Sequence, residues 1–154
     1  MAKLKIVKVG DDVLRKKCRT QLNFDERLHQ ILDDMAETMY KAEGVGLAAP
    51  QVGIAKRLCI VVDDDDSIMT LINPQIIETK GEQIFTEGCL SVPDKCGITK
   101  RPMTVTVRAM NRNGETFDIN GKGLLAKAFC HEIDHLDGIV FVDKVTQYVE
   151  VEAE

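Results

Sequence analysis

The chain of 154 residues has no apolar stretch near the ~20 residues that a membrane-spanning helix needs; its longest runs are segments such as Leu58–Val62. No membrane partner is expected. There is no basic surplus either. Lys and Arg total 20 against 25 Asp and Glu, and a net charge of −5 argues against direct nucleic-acid binding, which rests on neutralising phosphates. Repeats, low-complexity tracts and Pro/Gly/Ser-rich linkers are missing, so residues 1–154 are expected to form one domain. The first ten residues alternate Lys with aliphatics without a hydrophobic block. They read as a strand, not as a secretory signal. Five cysteines are an odd number, which disfavours a disulfide framework and predicts reduced thiols in a cytoplasmic protein. What remains is ordinary: 44% hydrophobic and 29% charged residues, at a length that buries roughly 68–70% of the unfolded surface.

Periodicity supplies the elements. Leu28, Ile31, Leu32, Met35 and Met39 share one face of a helix predicted over residues 25–42, with Asn23 and Glu26 as a capping box. A shorter helix is predicted from Asp11 or Asp12 to Cys18. Strands are predicted at 57–62, 68–72, 75–79, 83–85 and 103–110. Val105 and Val107 should lie on one side of the last, with Thr104, Thr106 and Arg108 on the other. Asn113-Gly114 signals a hairpin into a strand at 115–120, and the four aspartates at 63–66 read as a solvated hairpin loop. Residues 124–136 read as a second helix ended by Asp137-Gly138. Helix, strands, helix in that order predict an α+β fold. Its antiparallel sheets would surround a buried C-terminal helix and be joined by an N-terminal amphipathic helix.

The chemistry concentrates in His131-Glu132-Ile133-Asp134-His135. Two imidazoles at i and i+4 lie on one helix face, one turn apart, close enough to share an ion. Leu124, Ala128, His131 and His135 form a narrow stripe, and Glu132 falls beside it, able to reach an open coordination position. Two histidines beside an ordinary core would give the same spacing. A third ligand is needed. In the protease pattern His-Glu-x-x-His-x-x-Gly-x-x-His it would stand at 141, but that residue is Phe141. The candidate upstream is Cys89 in Glu87-Gly88-Cys89-Leu90-Ser91, a Gly-bearing turn between two strands. A thiolate with two imidazoles makes a three-point site with the fourth position open. Cys130 adjoins His131 but a 100° rotation points it elsewhere. The loop Gly44-Val-Gly-Leu-Ala-Ala-Pro-Gln51 fits neither a P-loop nor a dinucleotide fingerprint. It offers close backbone approach and the amide of Gln51.

Together, Gly-x-Gly-Leu-Ala-Ala-x-Gln at 44–51, Glu-Gly-Cys-Leu-Ser at 87–91 and His-Glu-x-Asp-His at 131–135 resemble the peptide deformylase family. The resemblance implies one ferrous ion per chain, held by Cys89, His131 and His135, with Zn²⁺, Ni²⁺ or Co²⁺ as possible substitutes. It implies removal of formyl from the N-terminal formyl-methionine of nascent peptides, met at the ribosome, with release of formate. Glu132 would be the general acid/base, while the Gln51 amide and the backbone N–H of Leu90 would face the developing oxyanion. The backbone at Val45, Gly46 and Gly88 would pair with an extended peptide, and Val45, Leu124 and Ala128 would help form the methionine pocket. Arg101, which matches an arginine found in many members, would hold the peptide backbone or a downstream carbonyl; a plain surface cation is the other reading. Two other readings remain open on the residues: a His-Glu-x-x-His metallo-endopeptidase and a non-catalytic metal-binding module.

Overall fold

The computed structural model describes residues 4–149. Helix α1 spans Glu26–Lys41 and helix α2 spans Leu124–Leu136. The strands are β1 (Gly46–Ala48), β2 (Leu58–Val62), β3 (Ile68–Lys80), β4 (Gln83–Cys89), β5 (Val92–Arg101), β6 (Thr104–Met110), β7 (Thr116–Lys122) and β8 (Val145–Val149). They form a five-stranded sheet in the order β1-β2-β3-β6-β7 and a three-stranded sheet in the order β4-β5-β8, each neighbouring pair antiparallel. The α+β architecture expected from the element order is therefore present.

Both faces of the larger sheet are covered, which explains the unbroken apolar run of β2. Leu58 and Ile60 pack with Leu28, Leu32, Met35 and Met39 of α1, whereas Cys59 and Val61 pack with Ala126, Phe129, Cys130 and Ile133 of α2. Successive side chains point to opposite faces, so a strand between two helices must be apolar at every position. On β6, Val105 and Val107 are fully buried on the α2 side while Thr104, Thr106 and Arg108 are not, as the alternation predicted. Close packing also needs a glycine. A Cβ on Gly121 of β7 would lie 2.5 Å from Phe129 Cε2, so the missing side chain lets α2 settle on the sheet.

Several local expectations are corrected. Asp25, not Asn23, caps α1, because its carboxylate accepts from the Leu28 N–H at 3.0 Å. The helix after Asp11 is only a single 3₁₀ turn, Asp12–Arg15. Two expected strands are one: Ile68–Lys80 continues through Asn73-Pro74 by shifting register between Ile72 and Gln75. Proline has no N–H to give the ladder, and a bulge absorbs it. The first residues do not form the expected strand over residues 4–10, and residues 1–3 lie outside the described part. Val7 N–H instead bonds Gln51 O at 2.7 Å, in the 3₁₀ turn after β1, and Val9 N–H bonds Ser91 O at 2.8 Å, in the turn between β4 and β5, so the segment links these two turns without joining either ladder. Strand β8 was not expected in the acidic tail. It pairs with β5 at residues 96–99, and no alternating pattern marks it.

Candidate functional site

Helix α2 fixes three of the site's side chains by its own geometry. His131, Glu132 and His135 are 8, 5 and 0% exposed, and the two imidazole centroids lie 5.0 Å apart. The sulfur comes from the other sheet. β4 and β5 pair Glu87 with Gly97 and then Cys89 with Val92, so residues 93–96 of β5 stand opposite Gly88 alone, while alternation along β4 keeps Glu87 and Cys89 on one face. Cys89 Sγ thereby comes to 3.4 Å from His135 Nε2, and the ligand atoms of Cys89, His131 and His135 all lie within 4.8 Å of one another. Around a tetrahedral ion with bonds of ~2.0–2.3 Å, neighbouring donors stand ~3.4–3.6 Å apart, so small side-chain adjustments suffice for this set to grip one cation.

The hydrogen bonds behind the ligands decide which atoms face that point. Glu87 is 2% exposed and receives hydrogen bonds from Thr99 Oγ1, Arg101 Nε and Arg101 Nη2, the last at 2.7 Å. Burial resists its ionisation, but the bonds from His131 and Arg101 prevail and hold its carboxyl well below the ordinary range. An ionised carboxylate only accepts. His131 Nδ1, at 2.5 Å from Glu87 Oε1, must therefore carry a hydrogen, and its Nε2 is left for a ligand bond. Burial opposes charge on His131, yet the charge of Glu132 and the hydrogen bonds with Cys89 and Glu87 raise it to about 10, so an ion binding at Nε2 would displace a proton there. His135 goes the other way: burial and the neighbouring His131 lower it to about 3, so it presents a neutral imidazole. Burial, with Glu87 and Asp134, pushes Glu132 up to about 7 against the pull of His131 and Arg101. One of its oxygens, Oε1, has no hydrogen-bond partner among the described residues. A carboxylate poised near neutrality with a free oxygen suits proton transfer.

Gln51 is 1% exposed, and its Oε1 accepts from the Ala48 N–H at 2.9 Å. That bond settles the amide's orientation and sends Nε2 toward Cys89 Sγ (3.4 Å) and Ser91 Oγ (3.3 Å). A cavity of about 900 Å³ opens over this group; Val45, Gly46, Gly88, Leu90, Leu124 and Ala128 all line it. Val45 and Leu124 are 66 and 65% exposed at its mouth. Gly46 is glycine for a reason of contact: a Cβ there would be 2.5 Å from Glu132 Oε2. Lys127 also lines the cavity, its Nζ 5.0 Å from the centre of the Phe85 ring. Cys130, 4% exposed, packs into the core as expected, and burial raises its thiol to about 11.

Arg101 is not where a peptide-binding residue should be. It is 3% exposed, absent from the cavity wall, and its guanidinium is engaged by Glu87 and by Asp134, at 2.6 Å from Nη1. It orients Glu87, and through it His131. Replacing Arg101 with leucine should leave Glu87 charged and buried without its partner, a change that typically costs about 3–5 kcal/mol. Urea unfolding of the metal-loaded protein measures this, and a loss under 1 kcal/mol would count against the buried pair. Glu87 itself was missed as a functional residue. Its place two positions before Cys89 on one strand was the available signal, since alternation puts both on one face. Phe141, at the position of a third histidine in the protease pattern, is 1% exposed and stacks on His131 with centroids 6.2 Å apart.

The family model described as polypeptide deformylase matches residues 3–150. A peptide deformylase of Acetivibrio thermocellus is 57% identical over 141 residues, covering 92% of this chain and 82% of that protein. The crystal structure of peptide deformylase from Thermotoga maritima superposes with a TM-score of 0.92 at 37% identity, covering 95% of this chain and 99% of that one. A Met-Ala-Ser-bound class I type b peptide deformylase from Acinetobacter baumannii superposes at 0.89 with 34% identity, covering 94% of this chain and 99% of that one.

Proposed function

The chain belongs to the polypeptide deformylase family, metal-dependent hydrolases that remove formyl from the N-terminal methionine of new polypeptides, and we propose that Cys89, His131 and His135 hold its ion while Glu132 moves the proton. The observation that carries this reading is the meeting of one sulfur and two imidazoles beside a buried carboxylate with a free oxygen. The ion is iron(II), one per chain, with Zn²⁺, Ni²⁺ or Co²⁺ able to replace it. Ligand type alone suits zinc as well; iron comes from the family resemblance.

A divalent ion held there lowers the pKa of a water and polarises the formyl oxygen. Glu132 accepts the proton of the attacking water through its unpartnered oxygen, then returns it to the amide nitrogen, which could not leave as an anion. The Gln51 Nε2–H and the Leu90 N–H face the charge that grows on the formyl oxygen. One such donor is typically worth ~2.7–4 kcal/mol. Glu87 holds the His131 ring, and Arg101 with Thr99 holds Glu87. The peptide lies extended against Val45, Gly46 and Gly88, with its methionine side chain between Leu124 and Ala128. The substrate is the formyl-Met nascent chain, met at the ribosome in the cytoplasm by a single catalytic domain. No helix among the described residues is long and apolar enough to cross a membrane.

The endopeptidase reading lacks its ligand, because position 141 carries a phenylalanine stacked on His131. The metal-loaded protein should release formate from formyl-Met peptides and leave internal peptide bonds intact, with about one equivalent of iron by elemental analysis. Internal cleavage without formate release would overturn the assignment.

A further inference from the structure

We infer that Lys127 fits the pocket for the first substrate residue to oxidised as well as intact methionine, its ammonium donating a hydrogen bond to the oxygen of a methionine sulfoxide. The inference rests on the deformylase reading and deepens it at the first side chain.

The place of Lys127 is set by a regular match between β4 and α2. Gln83 Nε2 donates to Gly123 O at 2.8 Å, and the Lys127 ammonium lies 5.0 Å from the centre of the Phe85 ring. His131 Nδ1 donates to Glu87 Oε1, and Cys89 Sγ lies 3.4 Å from His135 Nε2. Each step of two residues along β4 thus meets a step of four along α2. The two steps are nearly equal in length, roughly 6.6 Å of strand and 6 Å of helix. Lys127 and Phe85 therefore form the rung beside the one that holds His131. Alternation keeps Phe85 on the same face of β4 as Glu87 and Cys89.

That rung stands at one end of the apolar wall of the cavity. Leu124, Leu125, Lys127, Ala128, His131 and Glu132 of α2 all line it. A first side chain that starts beside Glu132 has one direction open along the helix. Toward the C-terminus His135 and Leu136 are 0% exposed, so the path runs the other way, past Ala128 to Lys127 and Leu124. Methionine, unbranched and with three rotatable bonds, can follow it.

An ammonium at the end of an apolar pocket is costly unless its donors are used. Lys127 is half-buried, and among the described residues its ammonium makes no ion pair and donates no hydrogen bond. Glu87, one rung inward, is already held by Thr99, Arg101 and His131. The face of Phe85 attracts the charge but leaves the three N–H donors without an acceptor. The thioether of methionine is a weak acceptor, whereas its sulfoxide is polar and carries an oxygen. In a wholly apolar pocket that oxygen would be buried unpaired and the oxidised peptide rejected; Lys127 supplies the missing donor.

The test measures formate release by the metal-loaded protein from formyl-Met-Ala-Ser and from the same peptide with methionine sulfoxide first, each epimer separately. The wild type should process at least one epimer with a kcat/KM within about tenfold of the methionine peptide. Lys127→Met and Lys127→Leu place good helix formers at a half-buried position. In both, the ratio of sulfoxide to methionine efficiency should fall by about 10- to 100-fold, the loss expected when a buried acceptor forfeits a charged donor. Taking the ratio cancels any damage common to the two substrates. A ratio that neither substitution changes overturns the inference, as does a wild type that deformylates the methionine peptide and neither epimer; the deformylase reading survives both. Formate from no peptide overturns that reading and, with it, this one.

Discussion

Glu132→Gln should keep its metal and lose turnover by ~10²–10⁴-fold, the usual contribution of a positioned proton carrier and equivalent to about 3–5 kcal/mol of barrier. The substitution keeps the shape of the side chain and removes only its ability to take a proton. Shape matters here, because Glu132 is 5% exposed and its Oε2 fills the space that a Cβ on Gly46 would need. Glu132 is not among the three residues whose ligand atoms cluster, so its amide should leave the ion in place. Burial puts this carboxyl at about 7 in the protein, so wild-type Glu132 can either hold or release a proton near neutrality; a glutamine can do neither. Formate release gives the rate, elemental analysis gives the metal, and circular dichroism checks the fold. Retained turnover with retained metal would show that another group carries the proton.

Cys89→Ala should lower the metal content from about one equivalent to a small fraction, with activity falling in proportion. The two remaining imidazoles sit at i and i+4 and can still touch a cation, but two neutral nitrogens bind far less tightly than two nitrogens and a thiolate. The fold should survive, since Cys89 is only half-buried at the end of β4 and Gln51 Nε2 keeps Ser91 Oγ as a partner. Cys130→Ala is the matched control. It changes the residue next to His131, yet its sulfur packs in the core with Phe129 and Ile133. Metal should stay in that variant. Full occupancy in Cys89→Ala, measured on protein purified in the same way, would remove the sulfur from the ligand set.

Legibility in the sequence followed the range of the interactions. Helix α2 begins and ends at the expected residues because its signals lie within one turn of each other: a 3.6-residue apolar pattern and Asp137-Gly138 after it. The Asn113-Gly114 turn and the alternation of β6 are equally local. Glu87 and Arg101 show the opposite case. Glu87 carried no role in the sequence reading and Arg101 read as a residue holding the peptide or as a surface cation; they meet only through the pairing of β4 with β5 and the bond to His131 of α2. Nothing in the neighbouring residues of Arg101 distinguishes a buried partner of Glu87 from a residue that grips a peptide.

By itself, then, the sequence determined the helix that carries two imidazoles and a carboxylate on neighbouring faces, because helical spacing converts residue numbers directly into angles. It also supplied Cys89 and Gln51 as candidates. Tertiary structure alone decided that the end of β4 brings the sulfur to His135, that Glu87 bonds the His131 ring, and that Arg101 is buried against Glu87 and Asp134. Those outcomes depend on strand register and on contacts between residues 14 to 46 positions apart, where closing the chain leaves many arrangements open until the whole core packs.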